Sequence, residues 1–321
     1  MFAVYASGPR PDDPMSSLVV GDRPDPIVPD GWVRVRMRAG SLNMHDLWTL
    51  RGVGIRQEAF PMILGCDGAG VIDDGSEVVI YPVIGTGDWR GDETLDPGRS
   101  ILTEVHQGTF AEYAVVPARN VLAKPPELSF AAAACMGTAW LTAYRMLFVR
   151  SGLRPGQTML VQGASGGVSS ALIALGAAAG MRVWVTGRSE DKRAVAASLG
   201  AHATFESGAR LPERVDGVFE TVGAATWSHS VRSLVPGGVI VISGATSGDA
   251  SAAELQRIFF LQLRVIGSTM GTREELADLL SFCVAAGISP LIGAELPLSS
   301  AVDGFETMLR GEGTGKTVFT W

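Results

Sequence analysis

The sequence lacks any uninterrupted apolar run that approaches the roughly 18 residues of a membrane-spanning helix. Its first residues, MFAVYASGPRPDD, also lack the basic start and apolar run of a secretory signal peptide. Cysteine is scarce, and because the 3 cysteines are far apart and odd in number, a disulfide framework is not expected. These absences together predict a soluble, cytoplasmic protein whose thiols are reduced.

Basic residues are also fewer than acidic ones, with 26 lysines and arginines against 33 aspartates and glutamates. The formal net charge of -7 opposes attraction to phosphate backbones and anionic lipid, so neither nucleic acid nor a membrane is an expected partner. What the chain does contain is an apolar fraction of 46% in a length of 321 residues. That combination suffices for a large core and for two domains of ordinary size.

The first third of the chain has the pattern of an antiparallel sheet with one solvent-exposed face. In GWVRVRMRAG, apolar side chains from Val33 to Met37 alternate with arginines, which is the period of a half-buried strand. The stretch from Val83 to Gly108 is polar and rich in glycine, and it is predicted to be a long surface excursion. The sheet is expected to resume in TFAEYAVVPARN.

From Ser129 onward, the pattern changes to helices that alternate with buried strands. An alanine-rich helix with Ser129 as its N-cap is predicted first. Five apolar runs then end in glycine or a small polar residue, which is typical of a parallel, doubly wound sheet. These runs are TMLVQG (158–163), RVWVTG (182–187), GVFETVG (217–223), GVIVISG (238–244) and LRVIGST (263–269). The last stretch predicts a helix and a strand that either extend this sheet or return to the first one.

A glycine-rich turn in LVQGASGGVSSALIALG directly follows a buried strand and directly precedes a helix. Peptide N–H groups at the helix start would meet the charge of a pyrophosphate, aided by the helix dipole. The alternative is a tight turn that binds nothing, but the further strand that follows within about 25 residues favours a dinucleotide site. The residues predicted to bind the cofactor here are Ala164, Ser165, Gly166, Gly167 and Val168.

The end of the second strand of this unit, in WVTGRSEDK, indicates which dinucleotide binds. Gly187 stands where NAD sites usually carry an acid that accepts a hydrogen bond from the ribose 2′-hydroxyl. Without that carboxylate a 2′-phosphate meets no repulsion, and Arg188, Ser189 and Lys192 can donate hydrogen bonds to it. The sequence therefore predicts NADP(H). The alternative is that the charged run is only the solvated first turn of a helix.

Several segments, in this order, resemble the medium-chain dehydrogenase/reductase superfamily, which includes alcohol dehydrogenases and quinone oxidoreductases. They are RAGSLNMHDLWTLRG, FPMILGCDGAGVI, GTFAEYAVVPARN, AAACMGTAWLTAYRML, GASGGV and the closing GKTVFTW. The resemblance implies an α/β protein with a GroES-like, mostly-β catalytic domain (1–120 and 294–321) and a Rossmann domain (121–293) with a doubly wound parallel sheet. It also implies that the active site lies in the cleft between them.

Zinc-dependent members of that family hold a catalytic metal at positions that match Asn43, Cys66 with Asp67, and Thr138 in this sequence. A catalytic zinc needs three firm ligands, and a neutral amide and a hydroxyl are poor ones, so the chain resembles a zinc-free member. A nucleophilic Cys66 would need an activating base that the local sequence does not supply. The favoured interpretation is that Cys66 fills space near the cleft, while Asp67 bonds to backbone or lies at the pocket wall.

The resemblance also implies roles for residues around the nicotinamide. Asn43 would face the nicotinamide or the substrate oxygen, and Thr142 would contact the nicotinamide ribose. The carboxamide end would be lined by Gly244, Ala245, Thr246, Ser268, Thr269 and Met270. Each of these loop residues has turn formation or capping as its alternative role.

The predicted function is an NADPH-dependent, zinc-independent oxidoreductase that transfers hydride to a quinone or an α,β-unsaturated carbonyl. Such acceptors spread the incoming charge by conjugation, so hydrogen-bond donors suffice where relatives use a metal. The alternatives are a metal-free alcohol or aldehyde oxidoreductase and a non-enzymatic NADPH-binding protein. The expected partners are a small carbonyl or quinone substrate and a second copy of the chain, paired as a homodimer through LRVIGST.

Overall fold

The computed structural model describes residues 1–250 and 252–321. They form two compact units, of which the first comprises Met1–Ala139 and Gly271–Trp321 and the second comprises Trp140–Met270. The predicted domain bounds at 120/121 and 293/294 remain a prediction. Within the described ranges, no helix combines the length and the apolar character that crossing a bilayer requires.

Residues 1–250 and 252–321 form eighteen strands. They are β1 (Phe2–Ala6), β2 (Leu18–Asp22), β3 (Trp32–Ser41), β4 (Met62–Ile63), β5 (Asp67–Ile72), β6 (Glu77–Ile80), β7 (Val83–Ile84), β8 (Ser100–Ile101), β9 (Tyr113–Pro117), β10 (Val121–Ala123), β11 (Thr158–Gln162), β12 (Arg182–Gly187), β13 (Ala203–Glu206), β14 (Val215–Glu220), β15 (Leu234–Ile242), β16 (Arg264–Gly267), β17 (Ile292–Pro297) and β18 (Lys316–Thr320).

The α-helices are also numbered in chain order. They are α1 (Met44–Arg51), α2 (Phe130–Ala133), α3 (Leu141–Tyr144), α4 (Gly167–Ala178), α5 (Glu190–Ser198), α6 (Trp227–Ser233), α7 (Leu255–Phe260), α8 (Arg273–Ala286) and α9 (Ala301–Arg310). Turns of π-helix follow α2 and α3, at Met136–Trp140 and Arg145–Arg150. The predicted cap of the alanine-rich helix is confirmed, because Ser129 Oγ accepts a hydrogen bond from the Ala132 N–H at 3.1 Å.

The larger sheet of the first unit has the strand order β10-β6-β5-β3-β18-β17, and β9 also pairs with β3. Its long strand β3 shows the predicted alternation, because Val35 and Met37 are buried while the arginines between and beside them are exposed. β18 pairs antiparallel with β3, so the final strand returns to this first sheet rather than extending the second one. The rings of Phe110 and Phe319 meet edge to face at 5.0 Å and fix β18 against the core.

The stretch from Val83 to Gly108 is more buried than predicted. It carries the β7-β8 ladder, and the side chains of Thr94, Asp96 and Thr103 are at most 3% exposed. The Asp96 carboxylate accepts hydrogen bonds from the Thr86 N–H and Oγ1 at 2.8 and 2.9 Å. Residues 86–91 are exposed, as predicted for a surface excursion, whereas the buried polar groups of this stretch are satisfied by local hydrogen bonds.

The second unit contains the predicted parallel sheet, in the order β13-β12-β11-β14-β15-β16. The chain winds outward in one direction from β11 and in the other from β14, so the strand order reverses between these two strands. Such a switch point leaves a crevice at the carboxyl ends of the strands, where ligands bind in doubly wound folds. The short, half-buried edge strand β13 was not predicted. The other edge is β16, and its part in a homodimer remains a prediction.

Candidate functional site

The glycine-rich turn lies at the switch point, between β11 and α4. Gly163 begins it with a φ of +94°, a left-handed conformation that favours glycine. Gly166 precedes α4 and supplies no side-chain cap. The first N–H groups of an α-helix have no intrahelical partner and carry its partial positive charge. The turn from Ala164 to Val168 therefore suits a dinucleotide pyrophosphate.

The end of β12 packs directly on this turn. A Cβ on Gly187 would lie 2.8 Å from the Cβ of Ala164, so the packing itself disfavours an acidic side chain there. Arg188 is exposed, while Ser189 Oγ caps α5 by accepting from the Lys192 N–H at 3.4 Å. The predicted residues thus surround Gly187, and Ser189 has a capping role as well.

Arg193 is a further cation at this end of β12, and it was not predicted. Its Nη1 donates to the Gly187 carbonyl oxygen at 3.0 Å. The sequence signal was the run RSEDKR itself, in which Arg193 lies one helical turn after Ser189 and so returns to the strand end.

The residues predicted for the nicotinamide end occupy two adjacent strand ends, since Gly244–Thr246 follow β15 and Ser268–Met270 follow β16. Ser268 Oγ is buried and has no hydrogen-bond partner within the described protein. A buried unpaired hydroxyl is unusual and fits a site that a polar ligand completes. Thr142 belongs to the same unit, on α3, and is 5% exposed. The second unit therefore fits a nicotinamide dinucleotide.

In the first unit, the four positions that match metal ligands form one buried hydrogen-bond network. Asn43 Nδ2 donates to Asp67 Oδ2 at 2.9 Å, and Thr138 Oγ1 donates to Asp67 Oδ1 at 2.5 Å. Ser41 Oγ adds a third bond to Asp67 at 2.9 Å. Side-chain donors, rather than the expected backbone groups, hold the fully buried Asp67 carboxylate. Its place at a pocket wall remains a prediction.

Lys316 completes this network, and it was not predicted. Its side chain is 3% exposed, and Nζ lies 3.8 Å from Asp67 Oδ2. Nζ also donates to Asn43 Oδ1 at 2.6 Å and to the Leu42 carbonyl oxygen at 2.7 Å. A lysine at the first residue of a strand is usually exposed, and only the pairing of β18 with β3 brings Lys316 to Asn43.

The amide of Asn43 is fully engaged in this arrangement. Its Nδ2 donates to the Ser41 carbonyl oxygen at 3.1 Å as well as to Asp67, and its Oδ1 accepts from the Lys316 ammonium. Asn43 is 7% exposed. Its predicted place beside the substrate oxygen therefore requires that the amide give up one of these bonds.

Burial sets the ionisation of the site. Desolvation raises the pKa of Asp67, against the Lys316 charge and the three side-chain donors. Desolvation, and then the nearby charges of Asp46 and Asp67, raise the pKa of the Cys66 thiol well above its ordinary value. Cys66 therefore stays a thiol rather than a nucleophilic thiolate. Burial also raises the pKa of Asp46 to about 7, although it accepts hydrogen bonds from the Asn43 and Gly65 N–H groups.

This donor set does not fit a catalytic zinc. Asn43 and Thr138 are weak neutral ligands, and the cation beside Asp67 is an ammonium group. Across residues 1–250 and 252–321, no group of three or more His, Cys, Asp or Glu side chains is arranged to hold a metal ion.

Comparisons with known proteins match both units. Residues 29–126 match the family model of the alcohol dehydrogenase GroES-like domain, and residues 167–285 match that of the zinc-binding dehydrogenase. The mouse quinone oxidoreductase is 27% identical, over 91% of this chain and 90% of the mouse protein. A crotonyl-CoA reductase of Streptomyces avermitilis is 28% identical, over 86% of this chain and 75% of that protein. A crystal structure of an NAD-dependent alcohol dehydrogenase is 33% identical with a TM-score of 0.93, and 100% of both chains is covered.

Removing the buried cation should destabilise the first unit. In Lys316→Met, the Asp67 carboxylate keeps its burial but loses its ammonium partner, so we expect the free energy of unfolding to fall by about 3 kcal/mol. Native-state hydrogen exchange of the β3 and β18 amides measures this loss in the first unit itself.

The double variant Lys316→Met/Asp67→Asn should recover much of that loss, because the unpaired charge is gone. Arg34→Met, which breaks the exposed pair with Asp73, is the matched control and should change stability by less than about 1 kcal/mol. Wild-type protection of the β3 amides in Lys316→Met would contradict the assigned charge balance.

Asp46 should make stability depend on pH. Its folded pKa of about 7 exceeds the ordinary value of 3.8, so between these values the folded state holds a proton that the unfolded state releases. The stabilisation is present below about pH 4 and is lost as the pH rises to about 7, at up to about 1.4 kcal/mol per pH unit. Urea unfolding from about pH 5 to 7 should show a less negative slope for Asp46→Asn than for the wild type. Equal slopes would show that Asp46 is ionised throughout.

Proposed function

This chain belongs to the medium-chain dehydrogenase/reductase superfamily, and from that premise we propose that it is a zinc-independent reductase that transfers hydride from NADPH to a quinone or an α,β-unsaturated carbonyl. Membership makes the chain a nicotinamide-dependent oxidoreductase. The finer proposal is supported by the buried network at the positions that match metal ligands. In this network the cation beside Asp67 is the Lys316 ammonium group.

The proposed acceptor follows from that network. Without a metal to polarise a carbonyl or an alcohol, the developing negative charge must be spread over the acceptor and met by hydrogen-bond donors. Quinones and enones spread the charge by conjugation, whereas simple ketones do not. Similarity to a mouse quinone oxidoreductase and to a bacterial crotonyl-CoA reductase supports both acceptor classes.

The cofactor is proposed to bind along the carboxyl ends of the parallel strands. When bound, NADPH supplies the hydride, so the chain has only to bind, orient and shield it. N–H groups of residues 164–168 would hold the pyrophosphate. Gly187 places no carboxylate beside the ribose, and the 2′-phosphate would be met by Arg188, Ser189 and Lys192, with Arg193 nearby. An acid at Gly187, the usual mark of NAD sites, is absent from the sequence.

The nicotinamide end is proposed to rest against the two strand ends after β15 and β16. The buried Ser268 hydroxyl, which has no partner within the described protein, is suited to bond the carboxamide group. Thr142 is proposed to contact the ribose. Asn43 is proposed to exchange one of its two Nδ2 bonds, to the Ser41 carbonyl or to Asp67, for a bond to the substrate oxygen. The bond from Lys316 to its Oδ1 polarises the amide and makes its N–H groups stronger donors.

The direct test is turnover of NADPH with a panel of quinones, enones and simple ketones, with and without a metal chelator. We expect quinones or enones to be reduced, and the rate to be the same after exhaustive treatment with chelator. Activity that disappears with the chelator and returns with zinc would contradict the proposal. Tight binding of NADPH without turnover of any acceptor would instead support a non-enzymatic binding protein.

Cofactor preference can be tested at Arg188. Arg188→Ala should raise the KM for NADPH by about tenfold and leave the KM for NADH unchanged, because only the phosphorylated ribose loses a charge-assisted hydrogen bond. Steady-state kinetics with both cofactors measures the difference. Arg182→Ala removes an exposed arginine at the amino end of the same strand, so both KM values should stay as in the wild type. An equal change for NADH would remove the support for a 2′-phosphate contact.

A further inference from the structure

A second buried network joins three neighbouring strand ends in the second unit. Thr186 Oγ1, on β12, donates to Gln162 Oε1 on β11 at 2.5 Å. Gln162 Nε2 bonds both His229 Nδ1 and Ser230 Oγ on α6, each at 2.9 Å. Ser230 Oγ donates to Glu220 Oε2 on β14 at 2.6 Å. One hydrogen-bonded path therefore crosses the switch point from β12 to β14.

At its far end, the Glu220 carboxylate organises the turn that follows β14. Oε1 accepts from the N–H groups of Val222 and Gly223 at 2.8 and 3.1 Å. Thr226 Oγ1 bonds to the same carboxylate at 2.8 and 2.9 Å. Glu220 is 1% exposed, so its charge is balanced by these donors and Ser230 rather than by water.

That turn in turn holds the loop that carries the predicted nicotinamide contacts. Ser247 Oγ donates to the Val222 carbonyl oxygen at 2.7 Å, and the Ala224 N–H donates to Gly248 O at 2.9 Å. The two backbones are so close that a Cβ on Gly223 would lie 2.4 Å from Gly248 O. A displacement of the Glu220 turn would therefore displace the loop from Gly244 to Gly248.

The hydrogen positions of this network have one consistent arrangement. Gln162 uses its carbonyl oxygen for Thr186, so its two amide hydrogens go to His229 Nδ1 and to Ser230 Oγ. His229 is then protonated at Nε2, which lies 2.9 Å from the Ala209 carbonyl oxygen and donates to it. Such a network specifies one geometry, because any shift leaves a buried polar group unpaired.

We propose that Gln162 and Glu220 are positioning residues for the dinucleotide, an inference that rests on the proposed function. Gln162 immediately precedes the glycine-rich turn and bonds the residue before Gly187, so it sets the distance between the pyrophosphate and the adenosine ribose. Glu220 acts at the other end, where it fixes the loop proposed to bear the nicotinamide. In this role both side chains act through the backbone that they hold and not through contact with the cofactor.

The test separates the two ends of the cofactor by calorimetry with NADPH and with 2′,5′-ADP, which carries only the adenosine end. Glu220→Gln should weaken NADPH binding by about tenfold and leave 2′,5′-ADP within about twofold of the wild type. Gln162→Leu should weaken the binding of both ligands. Thr226→Val is a milder change, and it should weaken the binding of NADPH by about threefold without changing that of 2′,5′-ADP. It replaces Glu220→Gln in the test if that variant does not fold.

Asp216→Asn is the matched control, because Asp216 lies at the opposite end of β14 and its Oδ2 accepts from the Thr158 N–H of β11 at 2.8 Å. It should lower the melting temperature without changing the affinity for either ligand. A purely stabilising role for the network predicts the same outcome for the Glu220 and Gln162 variants, and that result would overturn the inference.

Failure of the proposed function would look different. A wild-type protein that binds neither NADPH nor 2′,5′-ADP would contradict the cofactor assignment itself. A wild type that binds both, together with a folded Glu220→Gln variant of unchanged affinity, would contradict only the positioning role.

Discussion

A buried carboxylate needs a partner for its charge, and the way in which Asp67 meets this need determines the rest of the candidate active site. Here the Lys316 ammonium lies 3.8 Å from the Asp67 carboxylate. The same ammonium donates a hydrogen bond to Asn43 Oδ1. Lys316 therefore both balances the charge of Asp67 and orients the Asn43 amide.

The second unit meets its electrostatic demand in another way, by peptide and hydroxyl dipoles. The Glu220 carboxylate is held by backbone N–H groups and hydroxyls, and a pyrophosphate at the glycine-rich turn would be held by N–H groups alone. Dipoles fixed by strand ends do not reorganise when charge arrives, so they hold an anion at little cost. At the Lys316 site, by contrast, the Asp67 carboxylate is held by side-chain donors and a full charge.

Local patterns in the sequence predicted the elements and their class, because each of these features is encoded within a short window. The alternation in β3, the five parallel strands and the serine cap at Ser129 are examples. Long-range pairing escaped prediction. Lys316 reaches Asn43 through the β18-β3 ladder, and Ser230 of α6 links the side chains of Gln162 and Glu220. No spacing rule links residues 273 positions apart, so the buried charge balance was visible only in the fold.

Similarity of fold leaves the cofactor open for a related reason. A relative can share nearly the whole backbone and still differ in the one side chain that contacts the ribose 2′ position. At Gly187, the residue proposed to lie beside the ribose, an added Cβ would lie 2.8 Å from the Cβ of Ala164. The constraint is therefore steric as well as electrostatic. A chain that gained an acid at position 187 would also have to repack Ala164. A change of cofactor preference at this position would therefore need more than one substitution.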